Sequence, residues 1–391
     1  ENAYFISENG IITEVGLMSE IKQSENAKKQ EDILDVKGKV VTPGFVDSHT
    51  HLVFGGDRSE EFILRAHGAT YEEILATGGG INNTVSKTRE LTFTQLFQIA
   101  TERLNIALKY GITTIEIKSG YGLDEITEWK ILEVIKYLKK FSKQKIKATY
   151  LGAHIVPREY KEKREDYIKL ITDKMLPLIK EHNMADFIDI FVEKSAYSID
   201  ESEIILKKAK ELGFEIKLHA EQLSHLGGIE LGVKYNALSV DHVDCFNEKD
   251  VELLKNSKTV ATMLPTSILF LNKNDYPDAR PLLNNNIRVA VATDFNPGSS
   301  HSLNINLAIS LSVLKHKMDV LNAIKGATLN GAYSLNMQNE TGSIETGKHA
   351  DFLVHNTKNY KNIAYQMGDS LIQEVYINGE KVYSNTCKEQ S

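Results

Sequence analysis

Eight stretches rich in β-branched and aromatic residues recur along the chain, separated by segments of helical period, and this alternation restricts the possible folds severely. The stretches are FVDSHTHL (45–52), ITTIEIKSG (112–120), IKATYLGAH (146–154), FIDIFVEK (187–194), FEIKLHAE (214–221), ALSVDHVD (237–244), TVATMLP (259–265) and IRVAVATD (287–294). Between them, QLFQIATERLNIALK sets Leu96, Ile99, Ala100, Leu104 and Leu108 on one helical stripe, and ITEWKILEVIKYLKK does the same with Ile126, Trp129, Leu132 and Ile135. Asp200 followed by Glu203 reads as a capping-box start for a helix that ends near Leu212, with Gly213 as its stop. Parallel strands need such crossover helices, and eight can close around a packed interior. The expected fold is therefore α/β, a (β/α)8 TIM-type barrel.

The two chain ends have a different character. Residues 1–44 hold short strand-like pieces (AYFI, GIITEVG, DILDV, KVV), and residues 344–391 repeat the style with ADFLVHN and EVYINGEKVY, where Asn-Gly marks a tight turn. Neither end has enough strands to stand alone. Both are expected to pair into one small β-sandwich domain beside a barrel spanning residues 45–343.

Composition excludes several functions. With 53 acidic against 46 basic side chains the net charge is −7, and no basic block is clustered, so a nucleic-acid partner is not expected. Cys245 and Cys387 are the only cysteines and form no CxxC, which argues against a disulfide framework or a thiolate metal site. No apolar run approaches the roughly 18 residues of a membrane span, and the polar opening ENAYFISENG does not read as a signal peptide. A cytoplasmic location is the expectation.

A barrel of this kind places its chemistry at the C-terminal ends of the strands. There the sequence puts His49 and His51 on the first strand, His154 on the third, His219 on the fifth, His242 on the sixth and Asp294 on the eighth. Alternate residues of a strand share a face, so His49 and His51 can hold one ion between them. A lone strand-end histidine is usually structural, but six such side chains on five strands are costly to bury without an ion or hydrogen-bond network. Three imidazoles and a carboxylate suit zinc or ferrous iron. With His49, His51, His219 and Asp294 as ligands, a further position is open to water, whose pKa a divalent ion can lower to about 7.

Several motifs also carry a resemblance. GFVDSHTH after a strand, LHAEQ, SVDHVD and ATDFNPGS together resemble the amidohydrolase superfamily, and TGSIETGKHADFLV is similar to its return to the small β-domain. HLVFGGDRSEEF, TGGGINNTVSKTRE, IEIKSGYGL and TYLGAHIVPREY resemble, more narrowly, its ring-opening branch of histidine degradation, over about residues 40–350. The resemblance implies one zinc or iron ion on His49, His51, His219 and Asp294. It implies 4-imidazolone-5-propanoate as substrate, held by Arg58, Tyr121, His154, Gln222, Asn296, Gly298 and Ser299. An Arg, a Tyr hydroxyl and a His suit the acid and ring carbonyl of such a molecule. It also implies a homodimer, and a loop around the 78–80 glycine run lying over the pocket. Arg58 could equally make a surface ion pair with Glu60 or Glu61, and Tyr121 could be a packed loop aromatic. His355 stands where an Asp is more usual, outside the site.

The implied mechanism is attack of metal-bound hydroxide on the ring carbonyl, with His242 helping to stabilise the oxyanion, to give N-formimidoyl-L-glutamate. Related enzymes can carry a glutamate at the position of Gln222; an amide cannot titrate, so Asp294, assisted by His242, is the expected base. A second ion would require Glu193 or Lys194 on strand four, and the resemblance favours a single one. The alternatives are a nucleobase-type deaminase, a related cyclic amidohydrolase, or a non-catalytic barrel scaffold.

Overall fold

The computed structural model describes residues 2–29, 32–68 and 79–385. Eight parallel strands lie side by side in chain order: β1 (Phe45–Asp47), β2 (Ile112–Lys118), β3 (Lys145–Ala153), β4 (Phe187–Val192), β5 (Glu215–Ala220), β6 (Ser239–His242), β7 (Val260–Met263) and β8 (Val289–Val291). Each falls within a stretch read as a strand from sequence, except that β3 starts one residue earlier, at Lys145. Their apolar residues are buried almost without exception, as strands covered on both faces require.

Ladder hydrogen bonds do not join β8 to β1. Side chains and the segments beyond the strands close that seam instead. Asp47 accepts from the Thr293 backbone N–H at 3.0 Å and from Thr293 Oγ1 at 2.6 Å. Past the strand ends, His51 N–H donates to the Phe295 carbonyl at 2.8 Å and Asp294 N–H donates to the His49 carbonyl at 3.1 Å. The closure thus brings the HxH segment and the aspartate together.

The helix Phe93–Lys109 buries Leu96, Ala100 and Leu104 as the stripe predicts, and a Thr92–Gln95 capping box starts it. Two local expectations are corrected. Ile126 is 80% exposed, because the inward arc at the start of Glu125–Phe141 is occupied by Thr127 and Glu128. The Glu128 carboxylate accepts from the backbone N–H groups of Gly120, Gly122 and Leu123, pinning the loop that carries Tyr121. The helix Ile199–Glu211 is capped by Ser198 and Glu201 rather than by Asp200 and Glu203. The S-x-x-E pattern beginning at Ser198 satisfies both orphan donors one step before the apolar Ile199. Gly213 does end that helix, at φ +72°.

Both chain ends supply the second sheet system. Val41–Pro43, Phe352–His355, Ile372–Ile377 and Glu380–Ser384 form a four-stranded antiparallel sheet in that spatial order. A hairpin of Ala3–Glu8 and Ile11–Leu17 packs on it through Phe5, whose ring lies 5.0 Å from that of Phe352. The hairpin turn Asn9-Gly10 and the tail turn Asn378-Gly379 both take positive φ, as two-residue hairpin turns demand. Cys387 lies outside the described residues.

His355 joins the two ends: it is fully buried and hydrogen-bonds with Thr42 Oγ1 at 2.8 Å. Burial pushes its pKa down to about 4. An unfolded histidine titrates near about 6.5, so the unfolded chain takes up the extra proton between those values and stability falls as the pH drops through that window. Replacing His355→Gln is expected to shrink the stability loss between pH 7.5 and pH 4.5 by about 2–3 kcal/mol, read from urea denaturation of both proteins at each pH.

Candidate metal-dependent active site

Residues at or just beyond the strand ends converge on one buried cluster. His51 Nε2 lies 3.4 Å from His219 Nε2, and Asp294 Oδ1 lies 3.5 Å from His49 Nε2 and 3.6 Å from His51 Nε2. All four side chains are almost completely buried. Donors at about 2.0–2.1 Å from a tetrahedral ion stand about 3.4 Å from one another, which is the spacing seen here. His49 Nδ1 hydrogen-bonds with Asp241 at 2.7 Å, so its Nε2 carries the free lone pair, and that atom is buried without a partner. Burial first, then neighbouring charges, pushes His49 and His51 well below the usual imidazole range, so they are neutral, as metal ligands must be. The donor set fits a divalent ion.

Backbone strain accompanies this convergence. His242, the last residue of β6, takes positive φ (+82°), as do Val243, Glu221 and Asp294 (+50°, +55° and +53°) in the segments that follow their strands, which re-aims the side chains there. Three N–H groups, of Leu226, Gly227 and Ile229, donate to the Glu221 carboxylate and fix one of these turns. Burial raises the Asp294 carboxyl to about 6, against the opposing pull of His219, Ser267, Asn296 and Ser299.

The other site residues named from sequence surround this cluster. The His154 ring stacks on His51 with centroids 5.4 Å apart. Its Nδ1 donates to the Gly120 carbonyl at 3.0 Å, leaving Nε2 free. Tyr121 is buried between His51, Phe54 and His154. Arg58 makes the ion pair with Glu61, at 2.7 Å, and still faces the site, because its Nη1 lies against Gly298. Gln222 is buried, and its main-chain carbonyl accepts from Lys273 Nζ at 3.2 Å. Asn296 spends its whole side chain on the loop: its amide N–H groups donate to the Asp294 carbonyl and Ser299 Oγ, and its Oδ1 accepts from the N–H groups of Gly298 and Ser299. Ser299 Oγ in turn donates to Asp294 at 3.2 Å. His242 lies 5.3 Å from His219 between ring centroids, and its buried Nδ1 has no partner. Glu193 holds backbone: its carboxylate accepts from the N–H groups of Lys194, Leu223 and Ser224 and from the Ser224 hydroxyl. Of the 78–80 glycines, Gly78 lies outside the described residues, while Gly80 N–H donates to Glu61 at 2.9 Å.

Sequence reasoning missed a layer of charge under this cluster, formed by Glu116, Lys118, Asp189, Lys217 and Asp241, all with fully buried side chains. Charged residues spaced two apart in otherwise apolar strands, Glu116 with Lys118 and Lys217 with His219, were the available signal, since that period marks one face.

Residues 40–382 match the model of the amidohydrolase family. An imidazolonepropionase of Bacillus mycoides is 41% identical over 98% of this chain and 90% of its own, and one of Bacillus cereus is 42% identical over the same shares. The chain belongs to the amidohydrolase family, among the imidazolonepropionases. In fold it is similar to a 5-methylcytosine deaminase of Klebsiella pneumoniae, with a TM-score of 0.75 at 14% identity over 98% of this chain and 96% of that one. Among the described residues no helix is long and apolar enough to cross a membrane.

A Cβ on Gly298 would fall 2.0 Å from Arg58 Nη1, so a side chain there must displace the guanidinium. Gly298→Ala is expected to raise KM on the order of tenfold, with kcat and thermal midpoint little changed, checked by steady-state kinetics and a melting curve.

Proposed function

We propose that this chain hydrolyses the ring amide C–N bond of 4-imidazolone-5-propanoate to N-formimidoyl-L-glutamate, with one divalent ion on His49, His51, His219 and Asp294. The observation that carries this reading is the meeting of four buried donors at metal-ligand spacing in a chain so similar to imidazolonepropionases. The bound ion supplies a Lewis acid that polarises a carbonyl and acidifies water.

The protein's own groups account for the remaining steps. Arg58, its Nε and Nη2 committed to Glu61, offers its other edge to the substrate carboxylate. Burial raises the Tyr121 hydroxyl above its ordinary range, so it stays an O–H donor. His154, with Nδ1 held by Gly120, accepts a ring N–H at Nε2. Gln222 hydrogen-bonds the substrate and moves no proton. Asp294, oriented by Ser299, takes the proton from the attacking water and hands it to the ring nitrogen as the C–N bond breaks. The His242 imidazole donates to the carbonyl oxygen as negative charge develops on it. The ion is zinc or iron, and the enzyme is a cytoplasmic homodimer; elemental analysis and light scattering test the first and last of these.

Substrate generated in place from urocanate is expected to turn over with loss of ring absorbance, and prior chelation is expected to abolish the reaction. Turnover of a nucleobase and not of this substrate would overturn the reading. Asp294→Asn is expected to lower kcat by about 10²–10⁴-fold, whereas Gln222→Leu raises KM with kcat largely kept. The reverse pattern at saturating substrate would move the base to another residue.

A further inference from the structure

Lys118 is the hub of the charged layer beneath the candidate metal ligands. Its Nζ lies 2.8 Å from Glu116, 2.8 Å from Asp189 and 3.7 Å from Asp241. Two of these carboxylates continue to the site: Asp189 Oδ2 lies 3.0 Å from His219 Nδ1, and Asp241 Oδ2 lies 2.7 Å from His49 Nδ1. Lys217 supports the same frame, with Nζ 3.4 Å from Asp241 and donating to the Ser48 carbonyl at 3.1 Å, next to His49. Lys118 also donates its own backbone N–H to the Thr50 carbonyl, between the two histidines of the HxH segment, at 2.9 Å.

All five side chains are sealed from water, so two ammonium groups face three carboxylates and leave one negative charge directly under the donor cluster. A carboxylate behind a ligating histidine fixes its ring and strengthens it as a ligand, provided that the carboxylate is itself held in place. A cation shared by two such carboxylates couples the orientation of two histidines on different strands. It also keeps the carboxylates from abandoning the imidazoles to find other donors.

We infer that Lys118 is a positioning residue for the metal centre, setting His49 and His219 through Asp241 and Asp189. The inference rests on the metal-dependent reading above. Lys118 touches no substrate in this role. It acts on the affinity and geometry of the ion.

The test uses the full chain, with zinc affinity measured by competition against a chromogenic chelator and the visible bands of the cobalt(II)-substituted protein recorded. Lys118→Met leaves buried carboxylates uncompensated, so the main variant is the charge-balanced Glu116→Gln/Lys118→Met pair. Phe352→Ala, in the separate small core that Phe352 forms with Phe5, Val41 and Tyr376 in the sheet of the chain ends, serves as a control that lowers stability away from the layer. The expected result is a 10–100-fold loss of zinc affinity and shifted cobalt bands in the double variant, with both unchanged in the control. A folded double variant with affinity within twofold of the parent and the parent's cobalt bands would overturn the inference. So would an equal loss in the control. A parent protein that binds neither zinc nor iron would instead overturn the metal-dependent reading itself.

Discussion

Ring nitrogens and a carboxylate oxygen face one another at 3.4–3.6 Å inside the protein, an arrangement that a divalent ion at their centre would satisfy. Much of the molecule is organised around it. Asp294 among the donors, and His242 beside them, take left-handed backbone conformations, at a cost of about 1–3 kcal/mol for each strained residue. Non-glycine residues such as His242 and Asp294 accept that cost at the site itself, where re-aiming the side chain is the gain.

Beneath the donors the barrel interior departs from the usual branched aliphatic filling. Lys118 and Lys217 would each be prohibitive to bury alone. Burial opposes the Lys118 charge, yet Asp189, Glu116 and Asp241 outweigh it and hold its pKa above the ordinary value. His219 and Lys118 together keep Asp189 below the usual carboxylate range despite burial. Each charge is tolerable only because the others are present, so the layer is specified as a unit. Its rigidity passes upward to the imidazoles.

The seam between the first and last strands shows how architecture and chemistry coincide. Asp47 and Thr293 tie the strands below, the Thr50–Phe295 bridge ties the segments above, and between them His49 and Asp294 become neighbours. A chain that failed to close there would lose a ligand pair along with its barrel. The outer sheet system has a comparable economy: strands from both ends of the chain share one small core of Phe5, Val41, Phe352 and Tyr376.

Local pattern alone determined a good deal. The eight strands, their crossover helices and the polar residues at the strand ends were legible because period, propensity and turn chemistry agreed with the final fold. Ile126 and the Ser198 cap were misread because two adjacent patterns fitted the same local rule, and only packing chose between them. Tertiary structure decided the rest. That Arg58, paired locally with Glu61, would still face Gly298 and that Glu193 would hold backbone both depend on contacts between segments distant in sequence. The charged layer is the clearest case. Each of its residues, taken alone in a strand, reads as a solvent-facing position, and it becomes part of a site only when five side chains from four strands meet where no water can reach them.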